Sequence, residues 1–378
     1  MLFHYGAVLT FWISCGLLLY TFFGYGLLIS GLARWRPKAP SAMDPAAPLP
    51  SVCVVLVAHN EEAHIVERLR NLLAAQYPPE KLHILLVSDG STDATMAQAQ
   101  TLRDPRLEII ESPQRAGKAA GLNLALARCT TEIVIFTDAR QRFTPEAIAR
   151  LTAHFADPAI GAVSGELEIA SAASVTGSGV DAYWRYERAL RAAESRFDSC
   201  IGCTGAIYAL RRGLFVPLPE DTLLDDVVIP MQAAVQGSRV IHDSTALAFD
   251  PRPLEPEAEL RRKQRTLAGG FQMAFRYPQW LAPGKNRLWW QLLSHKYLRL
   301  LGPLYLAAAL LSNFELRGSF FYDLCLAGQV ALYVSAALGF AGWRTRLGTL
   351  ASGFVFLNAM TVRGLVYYST RQARRGWR

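Results

Sequence analysis

Two kinds of apolar pattern alternate along the chain. Residues 5–33 run without a charged side chain. That is longer than the roughly 20 apolar residues needed to cross a hydrocarbon core. No basic segment precedes the run as in a secretory signal, and it is too long for a signal's apolar region. From Ser51 the pattern shortens and begins to alternate. Residues 51–58 form a continuous apolar run, as expected of a strand buried on both faces. Helical periodicity follows over 61–75, a second strand over 83–88 and a second helix over 92–100, and segments 107–111, 117–128 and 132–137 continue the series. Strands alternating with helices predict an open, mainly parallel, doubly wound sheet. Such sheets bind ligands beyond the carboxyl ends of their strands. Four places are thereby selected: residues 59–62, 89–93, 115–118 and 138–140.

The character changes again after about residue 250. Residues 271–295 mix aromatic with basic side chains, which suits helices lying in a membrane interface. Three apolar stretches then follow, at about 297–313, 319–342 and 347–369, each long enough to span. Arg363 interrupts the third. Positive charge marks cytoplasmic borders. Arg34, Arg36 and Lys38 therefore place the chain after the first span in the cytoplasm. The C-terminal Arg371, Arg374, Arg375 and Arg378 favour two C-terminal spans plus a re-entrant or interfacial third, because three spans would put these arginines outside. Residues 37–50 read as a Pro/Ala-rich linker. The expected layout is a membrane helix with its basic flank at 1–36, the linker at 37–50, an α/β domain at 51–255, a basic motif with interfacial helices at 256–295, and membrane segments at 296–378. The expected location is the plasma (inner) membrane, with the α/β domain cytoplasmic.

Composition sharpens this picture. Of the 378 residues 51% are hydrophobic and 19% charged, and the apolar excess sits at the two ends. The net charge of +8 is gathered beside apolar segments, including Arg261, Arg262, Lys263 and Arg265. That distribution fits lipid headgroups and not nucleic acid. Six cysteines are present, and only Cys200 and Cys203 stand close together. No His or second Cys pair follows at metal spacing, and Gly202 and Gly205 favour a tight turn over a redox pair. The usage suits a reducing compartment.

Candidate chemistry lies at the strand ends. In Val87-Ser-Asp-Gly-Ser-Thr-Asp93, a carboxylate at Asp89 can accept hydrogen bonds from a uracil N–H or ribose hydroxyls, and Gly90 permits the turn. The same residues also read as a turn followed by a helix capped by Ser91 or Thr92. His59 and Glu61, one strand earlier, favour the nucleoside reading. Lys118 opens a helix, and a lysine at a helix N-terminus makes an anion site. Asp138 ends the strand 133–137. Asp225 and Asp226 sit among Leu223, Leu224, Val227 and Val228. Adjacent carboxylates repel, which raises one pKa and suits a general base. The other reading of the pair is a helix N-terminus favoured by its dipole.

The order of these motifs resembles the membrane-bound family 2 glycosyltransferases, the group of the cellulose, chitin, hyaluronan and poly-N-acetylglucosamine synthases. The residues that carry it are Ala-His-Asn-Glu-Glu62, Val-Ser-Asp-Gly-Ser-Thr-Asp93, Gly-Lys-Ala-Ala-Gly-Leu-Asn123 and Ile-Phe-Thr-Asp-Ala-Arg140. The resemblance implies a GT-A-type fold and a nucleotide-sugar donor, with Lys118 facing its diphosphate. It implies that Asp138 holds Mg2+ or Mn2+ as the first acid of a D-x-D motif, whose second acid is replaced by Arg140. Either Asp138 then binds metal with fewer protein ligands, or Arg140 takes over charge neutralisation. Glu220-Asp-Thr-Leu-Leu-Asp-Asp226 matches the family's acidic motif, making Asp226 the base and Asp225 the acid before it. Arg261-Arg-Lys-Gln-Arg-Thr266 stands where processive synthases carry Q-x-x-R-W. Arg265 matches the arginine, while Arg262 replaces the glutamine and Thr266 the tryptophan on which a growing glycan stacks.

The resemblance implies inverting transfer from a UDP-hexose or UDP-N-acetylhexosamine to a glycan or lipid, forming a β-linkage. A second expectation is single transfer to a polyprenyl phosphate or other lipid, which the missing tryptophan supports. A third is a non-catalytic membrane scaffold. Membrane lipids are expected partners, and an oligomer or partner subunit is left open.

Overall fold

A computed structural model describes residues 2–38, 48–169, 177–250, 256–343 and 345–370. Most of the linker and the C-terminal arginines lie outside these residues. Eight strands form one sheet: β1 (Val52–Ala58), β2 (Leu82–Asp89), β3 (Leu107–Ser112), β4 (Ile133–Thr137), β5 (Arg142–Phe143), β6 (Ile160–Ile169), β7 (Ile207–Arg211) and β8 (Arg239–Asp250). Their order is β3-β2-β1-β4-β7-β6-β8-β5. β3, β2, β1 and β4 run parallel, as the alternating pattern predicts. β7 then enters antiparallel to both β4 and β6, and β5 antiparallel to β8, so the sheet is mixed. The departure from a mainly parallel sheet begins after β4, where the regular strand–helix alternation of the sequence ends.

Every position of β1 is buried, because helices cover both faces of the sheet. The strand's alternation divides its side chains. Cys53, Val55 and Val57 pack with Leu122, Ala125 and Leu126 of the helix Lys118–Arg128 and with the helix Asp225–Val235. Val52, Val54, Leu56 and Ala58 pack with Ile65, Leu69 and Leu72 of the helix Ile65–Leu73. A Cβ on Gly121 would lie 2.7 Å from Val57 Cγ1, so glycine lets the Lys118–Arg128 helix approach the sheet.

β2 lies on one side of β1 and β4 on the other. The chain therefore changes winding direction between β1 and β4, opening a crevice at their carboxyl ends.

Among the described residues, three helices are long and apolar enough to cross a membrane: Phe3–Trp35, Phe320–Phe340 and Arg346–Ser369. Phe3, Leu27, Phe320 and Leu347 are each at least 75% exposed, which suits surroundings of hydrocarbon. The stretch expected at 297–313 contains a helix of only 14 residues, Gly302–Glu315, packed along Leu2–Leu19. At about 1.5 Å per residue that helix falls short of a bilayer core. The stretch with Arg363 is a continuous helix instead, running beside the helix Pro256–Arg276, where Phe275 stacks on Tyr368. The aromatic segment expected to lie in the interface is largely internal. Met273, Trp280, Leu288 and Leu292 are buried in the core that holds the Asp225–Val235 helix. Burial against protein outweighs membrane contact there, because these side chains cover an otherwise open helix face.

Candidate active site

The loops after β1 and β2 interlock. Asn60, at φ 54°, donates its backbone N–H to Ser91 Oγ (3.2 Å), and its side chain accepts from Thr92 N (2.8 Å). Glu61 N donates to Thr95 Oγ1 (2.8 Å) and Glu62 N to Asp93 (3.1 Å). The short helix Thr95–Ala99 is served by Asp93, which accepts from Thr95 N (3.0 Å), and by Glu62, which accepts from Ala94 N (2.9 Å). Ser91 and Thr92, the caps read from sequence, are engaged by Asn60 instead.

Asp89 is 1% exposed. Its two oxygens accept from Ala116 N (2.7 Å) and Gly117 N (2.8 Å), while its carbonyl meets His59 Nδ1 at 2.7 Å. The Asp89 carboxylate thus fixes the loop before Lys118 and is enclosed by it, in place of the open acceptor expected from sequence. Gly90, at φ +60°, is required here on two counts. It takes the left-handed region, and a Cβ would sit 2.4 Å from Arg115 N.

The latched loop delivers Lys118 to the crevice. Its ammonium lies 2.9 Å from Asp138 Oδ1, at the end of β4, and 3.1 Å from Asp225 Oδ2, at the start of the Asp225–Val235 helix. One cation thereby ties together three motifs that are far apart in sequence. Burial alone would weaken the Lys118 ammonium, but Asp138 and then Asp225 hold it above its ordinary pKa. Burial would likewise raise the Asp138 carboxyl, yet Lys118, Arg262 and Arg265 bring it below the usual carboxylate range. The two arginines of the Pro256–Arg276 helix therefore act on Asp138 across the crevice. Glu61 lies on the same rim. Burial and the Asp138 charge push its carboxyl up, and Arg140 pulls it down.

Asp226 differs from its neighbours. Burial first, and the adjacent Asp225 second, push its carboxyl up to about 6, against Lys118 and Lys296. The residues 200–205 turn packs directly on it. Cys203 N donates to the Asp226 carbonyl (2.8 Å), and a Cβ on Gly205 would lie 3.1 Å from Asp226 Oδ2. Cys200 and Cys203 are free and buried, as the tight-turn reading requires, and burial pushes the Cys200 thiol up to about 12.

Arg140 is turned away from the crevice chemistry. Its guanidinium pairs with Asp250, whose side chain is 3% exposed and also accepts from Gln141 (3.3 Å). The charge reversal at position 140 is therefore answered inside the protein.

Two supporting residues escaped sequence reasoning. The Asn123 side chain both donates to Leu218 O (2.8 Å) and accepts from Leu218 N (2.8 Å), tying the loop before Asp225 to the Lys118 helix. Arg68 is 1% exposed and donates to Thr137 Oγ1 (2.6 Å), directly behind Asp138. Its signal was legible: an arginine at a position that shares the apolar face of Ile65, Leu69 and Leu72. On the other side, Leu223 N donates to Gln272 Oε1 (3.0 Å), and a Cβ on Gly269 would meet Leu224 Cγ at 2.5 Å. These contacts couple the arginine-bearing helix to the Asp225–Asp226 motif.

Residues 53–216 match the model described as glycosyl transferase family 2. The chain carries a family 2 glycosyltransferase domain. It is 29% identical over 254 residues to a β-monoglucosyldiacylglycerol synthase of Synechocystis, covering 62% of this chain and 50% of that protein. It is 28% identical over 176 residues to an N-acetylglucosaminyltransferase of Rhizobium meliloti, covering 45% and 41% respectively. The chain thus spans half or less of the length of these curated relatives. Among solved structures, a mannosyltransferase of Pyrobaculum calidifontis, determined with GDP-Man and Mn2+, is 27% identical with a TM-score of 0.72. That match covers 95% of this chain and 98% of the other. The chain has the GT-A-like mixed sheet with flanking helices, and apolar helices at both ends could span a membrane.

Proposed function

We propose that the chain transfers a sugar from a nucleotide sugar to a hydroxyl group at a membrane surface, with inversion to a β-linkage. The observation that carries this reading is the Lys118 bridge between Asp138 and Asp225, which sets Asp226 beside an anion site at the sheet's switch point. The acceptor oxygen attacks the anomeric carbon as the carbon–oxygen bond to the donor phosphate breaks. The electron pair leaves with the nucleoside diphosphate, and the proton passes to Asp226. Lys118, Arg262 and Arg265 stabilise the departing charge. His59, Glu61 and the Asp89-latched loop line the nucleoside side. Both UDP- and GDP-linked donors fit this reading, since the Pyrobaculum mannosyltransferase was solved with GDP-Man.

A divalent cation fits in a limited form. Among the described residues no group of three His, Cys, Asp or Glu side chains could hold one. Asp138 offers an oxygen not taken by Lys118, and the buried Asp225 Oδ2 is met by the Lys118 ammonium (3.1 Å) without an aligned hydrogen bond. Asp138 would hold Mg2+ or Mn2+ with the donor's phosphates supplying most ligands, as suits these hard cations. The ion would supply further neutralisation of the leaving diphosphate.

The exposed Thr266, where processive synthases carry tryptophan, favours one transfer per acceptor. The proposed setting is the inner membrane with residues 51–255 in the cytoplasm. The deciding experiment incubates the purified protein with UDP- and GDP-sugars and measures nucleotide release and product mass. The expected result is a single added sugar, lost in Asp226→Asn while nucleotide binding remains. A ladder of long glycans refutes single transfer, an active Asp226→Asn refutes Asp226 as the base, and the absence of any transfer by the wild type favours a scaffold.

A further inference from the structure

Among the described residues no hydrogen-bond donor meets the Asp226 carboxyl. Its direction is fixed by packing against the 200–205 turn, where a Cβ on Gly205 would lie 3.1 Å from Oδ2 and 3.4 Å from Cγ. The position of that turn therefore decides where the Asp226 oxygens point. Cys200 N donates to Val240 O (2.9 Å) and Thr204 N to Ser164 Oγ (2.9 Å), which ties the turn to the sheet. Further ties come from the helix Gly177–Phe197. Arg191 donates to Thr204 Oγ1 (2.5 Å), and Glu194 accepts from Ile201 N (3.2 Å).

Glu194 is 0% exposed. A carboxylate so enclosed is costly unless donors surround it. Its Oε2 takes the Ile201 N–H, while its Oε1 accepts from the Tyr25 hydroxyl (2.6 Å) and meets His295 Nδ1 (2.9 Å). Burial would raise the Glu194 carboxyl, but His295, Tyr25 and Ile201 bring it below its ordinary value. His295 is held from behind, where its Nε2 meets Glu187 Oε2 (3.1 Å) and Glu187 pairs with Arg299.

Tyr25 reaches this carboxylate from the apolar helix Phe3–Trp35, which is long enough to cross a membrane. It is wholly buried, edge-on to Trp290 with ring centres 5.3 Å apart. On the same helix the Tyr20 hydroxyl lies 2.7 Å from Ser294 Oγ and accepts from Trp290 Nε1 (3.0 Å). A Cβ on Gly26 would lie 2.6 Å from the Tyr186 hydroxyl, so the helix seats closely on Gly177–Phe197. A membrane anchor needs only apolar surface. A hydroxyl aimed inward at a carboxylate whose other oxygen holds the turn beside Asp226 links the membrane helix to the base.

We propose that Tyr25 and Glu194 are positioning residues for the transfer: the membrane helix, through the Tyr25 hydroxyl, fixes Glu194, and Glu194 fixes the 200–205 turn that aims the Asp226 carboxyl. The inference rests on Asp226 being the base. Both residues act through the turn and not on the substrates.

The test compares full-chain Tyr25→Phe, Tyr20→Phe, Glu194→Gln and Glu194→Ala with the wild type in detergent micelles, using whichever donor the wild type turns over. Tyr25→Phe removes one oxygen and no charge. It should lower kcat at least about tenfold, because small misplacements of a reacting group are costly, while nucleotide binding and the donor KM stay within about twofold. It should also move the acid limb of kcat/KM to lower pH. Burial is the first cause that raises Asp226, a loosened turn admits water, and the charges that act on Asp226 (Asp225, Lys118, Lys296 and Asp138) are unchanged. Glu194→Gln keeps an oxygen for Ile201 N and should retain more activity than Glu194→Ala. Tyr20→Phe loosens the seat of the same helix without removing a donor from Glu194, and should keep the wild-type kcat and limb. A Tyr25→Phe protein with wild-type kcat and limb overturns the inference. Equal losses of kcat in Tyr20→Phe and Tyr25→Phe also overturn it, since seating of the helix alone would then account for both. Should Glu194→Ala fail to fold, shown by loss of nucleotide binding, Tyr25→Phe and Tyr20→Phe still decide. Transfer that survives in Asp226→Asn overturns the base and this inference with it. An inactive Asp226→Asn beside a fully active Tyr25→Phe overturns this inference alone.

Discussion

Asp226→Asn should inactivate the protein and at the same time make it more stable at neutral pH. The Asp226 carboxyl is pushed from 3.8 up to about 6 in the folded chain, so folding disfavours its ionised form. For an acid raised in this way, the cost is fully present above the folded value and vanishes below the unfolded one. A shift of about two units corresponds to roughly 3 kcal/mol at pH 7.5, an upper figure because Asp225 and Asp226 titrate together. Asparagine keeps the shape and carries no charge. The variant should therefore gain stability above pH 6, and the gain should fade as pH falls from about 6 to about 4. The assay is thermal unfolding of the full chain in detergent at fixed scan rate, at pH 7.5 and at pH 4.5, beside nucleotide release from the donor. At pH 7.5 the midpoint should rise by several degrees while transfer falls by at least about a hundredfold. A lowered midpoint at pH 7.5, or a gain that is equal at both pH values, would show that Asp226 is not a strained base.

The same carboxyl should set the acid limb of the pH–rate profile. Activity should fall about tenfold between pH 7 and pH 5, with a limb near pH 6 in kcat/KM. Lys118→Met should shift that limb upward, because the ammonium favours the ionised base, and should lower kcat by at least about tenfold. Gly121→Ala should destabilise the fold by about 1–3 kcal/mol, since the new methyl group meets Val57, and a thermal melt reads the loss. Chelation should reduce transfer, with Mn2+ restoring it in the wild type and not in Asp138→Asn; transfer unchanged by chelator would remove the metal from the scheme.

The parallel half of the sheet was legible because its strands are apolar at every position and its helices keep a 3.6-residue period. β1 and β4 announce themselves, and with them Asp138. The antiparallel half was not, because β6, β7 and β8 are separated by a long helix and by irregular turns, with no alternation to follow. Local motif order placed Lys118, Asp138, Asp225 and Asp226 near strand ends. Their mutual distances depend on which strands are neighbours, and periodicity does not encode strand order. The same limit explains Arg140 and Asp89. Both looked available for substrate, and each is occupied by a partner distant in the chain: Asp250 for Arg140, and the Ala116 and Gly117 amides for Asp89. At the ends, hydropathy marked every apolar stretch but not its role, since a helix packed on protein and one packed on lipid carry similar side chains.

The sequence by itself determined the membrane-seeking ends, the buried parallel strands and the acidic and basic residues of the candidate site, because these follow from local composition and period. Only the tertiary structure decided how they work together. It makes Lys118 a bridge between two carboxylates and isolates Asp226 as a weak acid. Each of these depends on charges brought within a few ångströms across a low-dielectric interior, and residue spacing along a chain does not record that distance.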